Sequence, residues 1–376
     1  METPVLLVGA SVRAAAFSAI RAGLRPWAID LFADRDLQAV CPARKVTAGG
    51  YPADLPELAR NVPPGPWLYT GALENRPTVL EQIARDRPLW GNDSASIGRV
   101  RDPFALADVL RAASLPGPAV RATIEKPITG KWLRKPIAGG GGSGIRFTTG
   151  TDRSDGRAYL QEFIDGEARA GVFVADADGC RLLGVTRQLV GEKWLHAAPF
   201  RYAGSIGSLA LAIAERMAWE RLGATVAAWA GLRGLFGIDA VVRDGVPWPV
   251  EVNPRYTASV EVLEYGTGVR ALALHRRAFE PTSPPAGAGP AAGMVGKAVW
   301  YAPRRLTVPA DGPWEASLRD VSAIDEPPAF ADIPPAGQRI AAGRPMLTIF
   351  ATGTTVAECE RKLHETGAEL DAWLLR

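Results

Sequence analysis

Three oxygen-bearing side chains, Asp239, Glu251 and Asn253, have the types and the spacing of a divalent-cation site. Glu251 and Asn253 stand two residues apart, so on a strand they share one face. Asp239 ends the short apolar run Phe236-Gly237-Ile238, and Asp244-Gly245 is a turn signal between two apolar runs, so residues 234–259 read as a β-hairpin. With a three-residue loop, Asp244-Gly245-Val246, Asp239 lies directly opposite Glu251. With a two-residue loop, Asp244-Gly245, the register slips and the acids point apart. The three-residue loop is the expectation. Oxygen ligands converging there suit Mg²⁺, which binds through one or two carboxylates, waters and substrate phosphates. The plainer alternative is a surface hairpin with scattered acids.

A second chemical stretch lies about a hundred residues upstream. The basic, strand-like run Lys131-Trp132-Leu133-Arg134-Lys135-Pro136 leads into Ile137-Ala138-Gly139-Gly140-Gly141-Gly142-Ser143-Gly144-Ile145. Glycines let backbone N–H groups approach phosphate oxygens and adopt positive φ, and a preceding Lys supplies a point charge. The order is not that of a P-loop, in which Lys follows the glycines. A flexible linker would account for the glycines alone. The apolar strands on either side favour a hairpin flap over a nucleotide. Next comes Tyr159 to Ile164, a short strand entering a bend at Asp165-Gly166. Backbone groups of Glu162, Phe163 and Ile164 are placed to read an adenine edge, with Glu167 accepting from a ribose hydroxyl. Plain core is the other reading of Phe163.

Elements must position these groups. Val5-Leu6-Leu7-Val8, a helix from Ala14 to Ala22 and Trp27-Ala28-Ile29-Asp30 form a βαβ start. Gly9 is followed by Ala-Ser-Val-Arg-Ala, without the later glycines of a dinucleotide fingerprint, so an NAD site is not expected. A doubly wound, Rossmann-like domain whose strand ends form half a cleft is expected instead, with Ser11, Arg13 and Asp30 near that cleft by the switch-point rule. Trp67 to Thr70 reads as a further strand, its loop Gly71-Ala72-Leu73-Glu74-Asn75 opening at the same edge. Pro88 to Asn92 reads as the last short strand before a boundary near residue 96. Downstream, Arg187, Gln188, His196, Arg201 and Tyr202 are polar groups in an apolar setting. Arg187 and Arg201 suit bidentate binding of substrate carboxylates, or else cover the outer face of the flap. A lone His196 reads as a satisfied structural residue, and Ala210 to Leu222 as a helix.

The totals narrow the class. A chain of 376 residues suggests two to three domains, and a formal charge of +3 demands neither nucleic acid nor a membrane surface. Three scattered cysteines (Cys41, Cys180, Cys359) and three histidines make a disulfide framework, a Cys/His metal site or a Ser-His-Asp triad poor readings. A reducing cytoplasmic setting fits best. The opening residues METPVLLVGAS read as a buried strand, not a signal peptide, and no stretch is long and apolar enough to span a membrane.

Three features stand in one order: Lys-Pro with a Gly-rich flap, Gln-Glu-Phe-Ile-Asp-Gly-Glu, then Asp…Glu-Val-Asn-Pro-Arg. That order resembles the ATP-grasp superfamily of carboxylate–amine and carboxylate–thiol ligases, including D-alanine ligase, glutathione synthetase and the ATP-dependent carboligases like biotin carboxylase. The resemblance covers roughly residues 1–280. It implies an α/β plus α+β architecture: a pre-ATP-grasp, Rossmann-like domain over 1–96, then an ATP-grasp domain over 97–280. A linker over 281–293 and a small β-rich C-terminal element with a terminal helix over 294–376 complete the expected division. The tail resembles that of the biotin-carboxylase-like branch; its Ile-Pro-Pro-Ala-Gly and Ile-Ala-Ala-Gly turns suit a compact sandwich, and no biotinylation motif is present. The resemblance further implies ATP as nucleotide, held by Lys135 and the flap residues Gly140, Gly141, Gly142 and Ser143, with Glu162, Phe163 and Ile164 as adenine hinge and Glu167 at the ribose. Mg²⁺, with Mn²⁺ as alternative, would sit on Asp239, Glu251 and Asn253. Arg255 and Lys135 would act on the transferring phosphoryl group, and Ser11, Arg13, Arg187 and Arg201 on the substrate. Relatives often carry a second nucleotide-binding Lys after an Asp. Here Val100-Arg101-Asp102-Pro103-Phe104 places Pro there, leaving Arg99 and Arg101 as substitutes.

The implied reaction is ligation of a carboxylate to an amine through an acyl phosphate, on an amino acid or a cofactor precursor such as one of methanofuran or tetrahydromethanopterin type. The alternatives are a bicarbonate-using carboxylase of the same superfamily and a regulatory protein that binds nucleotide without turnover. Expected partners are small molecules, with no nucleic acid and no membrane; a homodimer is compatible.

Overall fold

The computed structural model describes residues 3–47, 49–123, 129–148, 156–285 and 287–375. The first layer is a parallel sheet in the order Ala43–Lys45, Leu24–Asp30, Thr3–Gly9, Trp67–Tyr69. Thr3–Gly9 is central, so its apolar run is buried on both faces. Leu6 and Val8 pack with Ile29, Trp67 and Leu80 on one side. Val5 and Leu7 pack on the other with Val172, Leu235, Val260 and Leu263, so the sheet shares a core with the segment that follows it. The expected strand at Pro88 to Asn92 is reduced to a single bridge between Trp67 and Leu89.

The second sheet is small and antiparallel, in the order Val120–Arg121, Ala158–Glu162, Trp132–Pro136, Arg146–Phe147. It carries the glycine flap. The third has eight strands, beginning Val246–Asn253, Gly234–Arg243, Glu167–Asp176, Gly179–Val190, Tyr202–Gly207. The helix expected at Ala210 to Leu222 begins later and runs longer, Ile213–Ala230, and ends at Gly231 with a positive φ of 66°. Its Trp219, Leu222 and Val226 fill the core against Phe173, Phe236 and Ile238.

The tail departs from the expected compact sandwich. Met294–Tyr301, Pro345–Gly353 and Phe330–Ala331 continue the eight-stranded sheet, Met294–Tyr301 pairing antiparallel with Tyr202–Gly207. Leu306–Thr307 and Arg339–Ile340 form a separate two-stranded piece. The physical reason is edge closure: Tyr202–Gly207 would otherwise expose unpaired N–H and C=O groups. The helix Val356–Leu374 covers this extension with Cys359, Leu363 and Leu370. His196 Nε2 donates to Asp371 Oδ1 at 2.8 Å, in keeping with a structural role.

One buried histidine ties the layers together. His275 Nδ1 accepts from the Leu235 N–H (2.8 Å), and Nε2 faces the Trp90 carbonyl (3.1 Å). Burial lowers its pKa from 6.5 to about 4. Between those values the unfolded chain binds a proton that the folded chain refuses, so stability is full above the unfolded pKa and is lost as pH falls toward the folded one. Expected is a loss of ~3 kcal/mol over that window from this residue. Chemical denaturation of wild type and His275→Gln across the window checks it; parallel pH profiles would assign the acid sensitivity elsewhere.

Candidate active site

The acidic hairpin closes by a route other than the expected loop. Gly234–Arg243 and Val246–Asn253 are joined by the two-residue turn Asp244-Gly245, with positive φ at both positions (53° and 74°), the conformation that matches strand twist. Arg243 pairs with Val246 and Ala240 with Pro249. The register then shifts, and Asp239 pairs with Glu251 and Gly237 with Asn253. Val250 is the extra residue of a β-bulge, and it restores the opposition that the short turn alone would have removed. The strand lies at the sheet edge, where Pro247 and Pro249 cost no ladder hydrogen bonds.

The bulge has a partner. Lys135 Nζ donates to the Val250 carbonyl (2.9 Å) and to Gln161 Oε1 (3.0 Å). Lys135 is buried, from the flap sheet, so the flap's cation and the acidic ribbon meet directly. The flap itself docks by backbone. Tyr202 N–H donates to the Gly141 carbonyl (3.2 Å). Gly142 has φ 77°, and a Cβ there would stand 1.7 Å from the Phe200 carbonyl oxygen, so only glycine fits. Phe147 packs edgewise between Phe163 and Phe200, with centroids 5.3 and 5.4 Å away.

Around the acids the polar groups are mutually engaged. Gln188 donates to Asp239 Oδ1 (2.9 Å) and Asn253 Nδ2 to Asp239 Oδ2 (3.0 Å). Burial, then the neighbouring Glu251 carboxylate, pushes the Asp239 carboxyl well above the usual carboxylate range. Arg255 donates to Asn253 Oδ1 (3.1 Å) and, through Nε and Nη2, to Glu74 Oε1 (2.9 and 2.7 Å). Burial alone would raise the Glu74 carboxyl; Arg255 outweighs it and holds it below its ordinary range. Arg101 bonds Glu251 Oε1 (2.9 Å), Asn75 Oδ1 (2.8 Å) and the carbonyls of Ile137 and Gly139 (2.7 and 2.9 Å). Arg99 instead bonds the Ala230 carbonyl at the end of a helix. Of the two candidate substitutes for the missing Lys, Arg101 stands at the site. Asp102 caps the helix Pro103–Ala112, accepting from Phe104 and Ala105 N–H, which accounts locally for the Asp-Pro sequence.

These groups surround one cavity of about 380 Å³. Lys135, Gly141, Gly142, Glu162, Phe163 and Ile164 line one side. Asp239, Glu251, Asn253 and Arg255 line the other. Gly140 and Ser143 face an adjoining small pocket that shares Lys135, Gly142 and Glu251 with it. Glu167 lies off the lining, in ion pairs with Arg169 and Arg187.

The four substrate candidates are not brought to this cavity. Arg13 is fully buried, bound to both carboxylate oxygens of Glu261 and to Asp332 (3.0 Å), because its helix faces inward against the helix Ala258–Thr267. Arg187 lies on the strand face opposite Gln188 and pairs with Glu360 (2.9 Å). Arg201 falls between Phe200 and Tyr202, both of which line the cavity while it does not. Strand alternation explains Arg187: adjacent strand residues point to opposite faces, and the sequence does not say which face is the cavity's. Arg201 instead precedes the strand Tyr202–Gly207, after a turn in which Phe200 has a positive φ of 63°. Ser11 lines a second cavity. Asp30 is occupied locally, accepting from the N–H groups of Val12, Phe32 and Ala33. Gln161, Glu74 and Asn75 were not singled out as site residues. Only the placement of the loop carrying Glu74 and Asn75 at the strand ends signalled two of them.

Residues 100–259 match the model of the ATP-grasp domain, and this segment of the chain is an ATP-grasp domain. The flanking layers complete the expected ATP-grasp architecture, with the parallel N-terminal sheet domain ahead of it. No curated protein matches the chain. Among solved structures it is similar to L-amino acid ligase from Bacillus licheniformis, at TM-score 0.68 and 14% identity over 98% of this chain and 97% of that one. It is also similar to N5-carboxyaminoimidazole ribonucleotide synthetase from Thermus thermophilus, at TM-score 0.68 and 13% identity over 99% of each chain. A third is the biotin carboxylase domain of Hydrogenobacter thermophilus 2-oxoglutarate carboxylase, a dimer in complex with MgADP, ADP and bicarbonate. That likeness has TM-score 0.67 and 13% identity, over 95% of this chain and 88% of that one. No helix among the described residues is long and apolar enough to cross a membrane.

Proposed function

We propose that the chain is an ATP- and Mg²⁺-dependent ligase that activates a substrate carboxylate as an acyl phosphate for attack by an amine. One observation carries this reading: Lys135 with the glycine flap, and Asp239, Glu251 and Asn253, line a single cavity. The carboxylate oxygen attacks the γ-phosphorus and ADP leaves. The amine nitrogen then attacks the acyl carbon, inorganic phosphate leaves and a proton is released. Lys135 and the flap N–H groups hold phosphate oxygens, and Glu162, Phe163 and Ile164 face the adenine. Arg255, steadied by Glu74, faces the transferring phosphoryl group.

The donor set fits Mg²⁺. Among the described residues there is no group of three or more His, Cys, Asp and Glu placed to hold a metal, so the site would be two carboxylates and an amide oxygen, as suits an ion that keeps waters and phosphate oxygens. The crowding that raises the Asp239 carboxyl is what a cation would relieve. When bound, the ion would neutralise charge on the phosphate oxygens. The rest is positioning and electrostatics from the chain, and no protein nucleophile is required.

The amine reading is supported by the likeness to an L-amino acid ligase, and a carboxylase reading by the bicarbonate bound to the biotin carboxylase domain. A phosphate-release screen separates them. Phosphate release that needs Mg²⁺, ATP, a carboxylic acid and an amine together supports the ligase. Release that needs bicarbonate in place of the acid supports the carboxylase, and no release with any pair would leave a nucleotide-binding protein.

A further inference from the structure

A second cavity, of about 260 Å³, lies beside the first, and Tyr202 and Ala258 line both. Most of its wall is apolar, including Phe32, Val299, Tyr301, Ile340 and Leu347. Its polar groups are Ser11, Asp34, Lys297, Asp332, Gln338 and Thr348. Nearly all the charge in and behind the wall is answered within the protein. Glu261 takes both Arg13 and Lys297 (Lys297 at 2.7 Å). Asp332 takes Arg13 and the Thr348 hydroxyl (2.5 Å). Asp36 accepts from the N–H groups of Asp332 and Ile333, and Asp30 from three others.

Asp34 is the exception. It is 5% exposed, yet no hydrogen bond from the described residues reaches its carboxylate, and it makes no cap to the helix it precedes. A buried, unpaired carboxylate costs several kcal/mol unless something answers it. Burial, and then the carboxylates of Asp332, Asp36 and Asp30, hold its pKa well above the usual range. A ligand carboxylate would add to that repulsion, so the acid substrate does not belong here.

We propose that this cavity seats the amine-bearing substrate: its ammonium lies on Asp34 and its apolar body against Val299, Tyr301 and Leu347. The occupant's role as co-substrate rests on the ligase reading of the adjoining cavity. The ammonium site itself does not.

The test titrates hexylamine, hexanol and hexanoate into the full chain by calorimetry at mildly alkaline pH. Hexylamine is expected to bind at least about tenfold more tightly than hexanol, ~1.4 kcal/mol for one charge-assisted contact, with hexanoate weakest. Asp34→Asn should erase the preference of amine over alcohol. Val299→Trp, which fills the cavity and leaves the carboxylate in place, should weaken hexylamine and hexanol together. Equal binding of amine and alcohol by wild type, tighter binding of hexanoate, or a preference that survives Asp34→Asn each overturns the proposal. MgADP, titrated separately, reports on the fold of the variants and on the ligase reading. A wild type that fails to bind MgADP but keeps the Asp34-dependent preference would sink the ligase reading and leave the ammonium site standing.

Discussion

Glu251→Gln is expected to abolish Mg²⁺-dependent phosphate release, by a hundredfold or more on the order of several kcal/mol in the barrier, while the protein stays folded. The carboxylate sits opposite Asp239 across the bulged pair and is the nearest source of the repulsion that raises the Asp239 carboxyl. Replacing it with an amide keeps an oxygen for Arg101, which holds the flap end, and removes one of the two negative charges. The melting temperature measured without Mg²⁺ should therefore hold or rise, and the stabilisation that Mg²⁺ confers on wild type should disappear. A variant that turns over normally would remove the metal from this hairpin. A variant that melts much earlier would show that Glu251 serves the fold and not the cation.

The second large effect is expected at Lys135. Its ammonium is held by Gln161 and the Val250 carbonyl at the point where the two ribbons meet. A phosphate oxygen there would gain a charge-assisted contact worth roughly 1.5–3 kcal/mol. Lys135→Ala should weaken MgATP binding by about tenfold to a hundredfold. Lys135→Arg is not a neutral control, because the buried site fits a compact point charge and not a planar fork. Calorimetric titration with MgATP and MgADP reads both variants. Unchanged affinity in Lys135→Ala would place the phosphates away from this residue.

Much of the architecture was legible because it follows from periodicity and order. The run Val5 to Val8 is apolar at every position, as befits a strand buried on both faces, and its two faces pack into two different cores. The order of Lys-Pro with glycines, then Gln-Glu-Phe-Ile-Asp-Gly-Glu, then Glu-Val-Asn-Pro-Arg agrees with the ATP-grasp domain found over residues 100–259. The tail was less legible. Its strands looked like a small unit of their own, but an open edge at Tyr202–Gly207 recruited them.

The hairpin shows where local reasoning stops. Asp244-Gly245 signalled the two-residue turn that forms, and a longer loop was expected only because the acids needed to oppose each other. A bulge at Val250 met that need instead. The prolines at 247 and 249 were the available hint of an irregular edge strand.

By itself, the sequence determined which residue types were available for chemistry and in what order the strands, glycines and acids would come. Those are properties of neighbours along the chain. The fold alone decided which arginines are spent. Arg13, Arg187 and Arg201 looked alike as candidates, yet Arg13 neutralises a buried carboxylate, Arg187 braces the C-terminal helix and Arg201 turns off the cavity. Arg101 and Arg255 are the two drawn to the acids. A guanidinium's role depends on the carboxylate it meets, and Glu251, Glu74 and Glu261 lie some 150 to 250 positions away from their partners in sequence. Pairings of that range are set by packing, which no local pattern encodes.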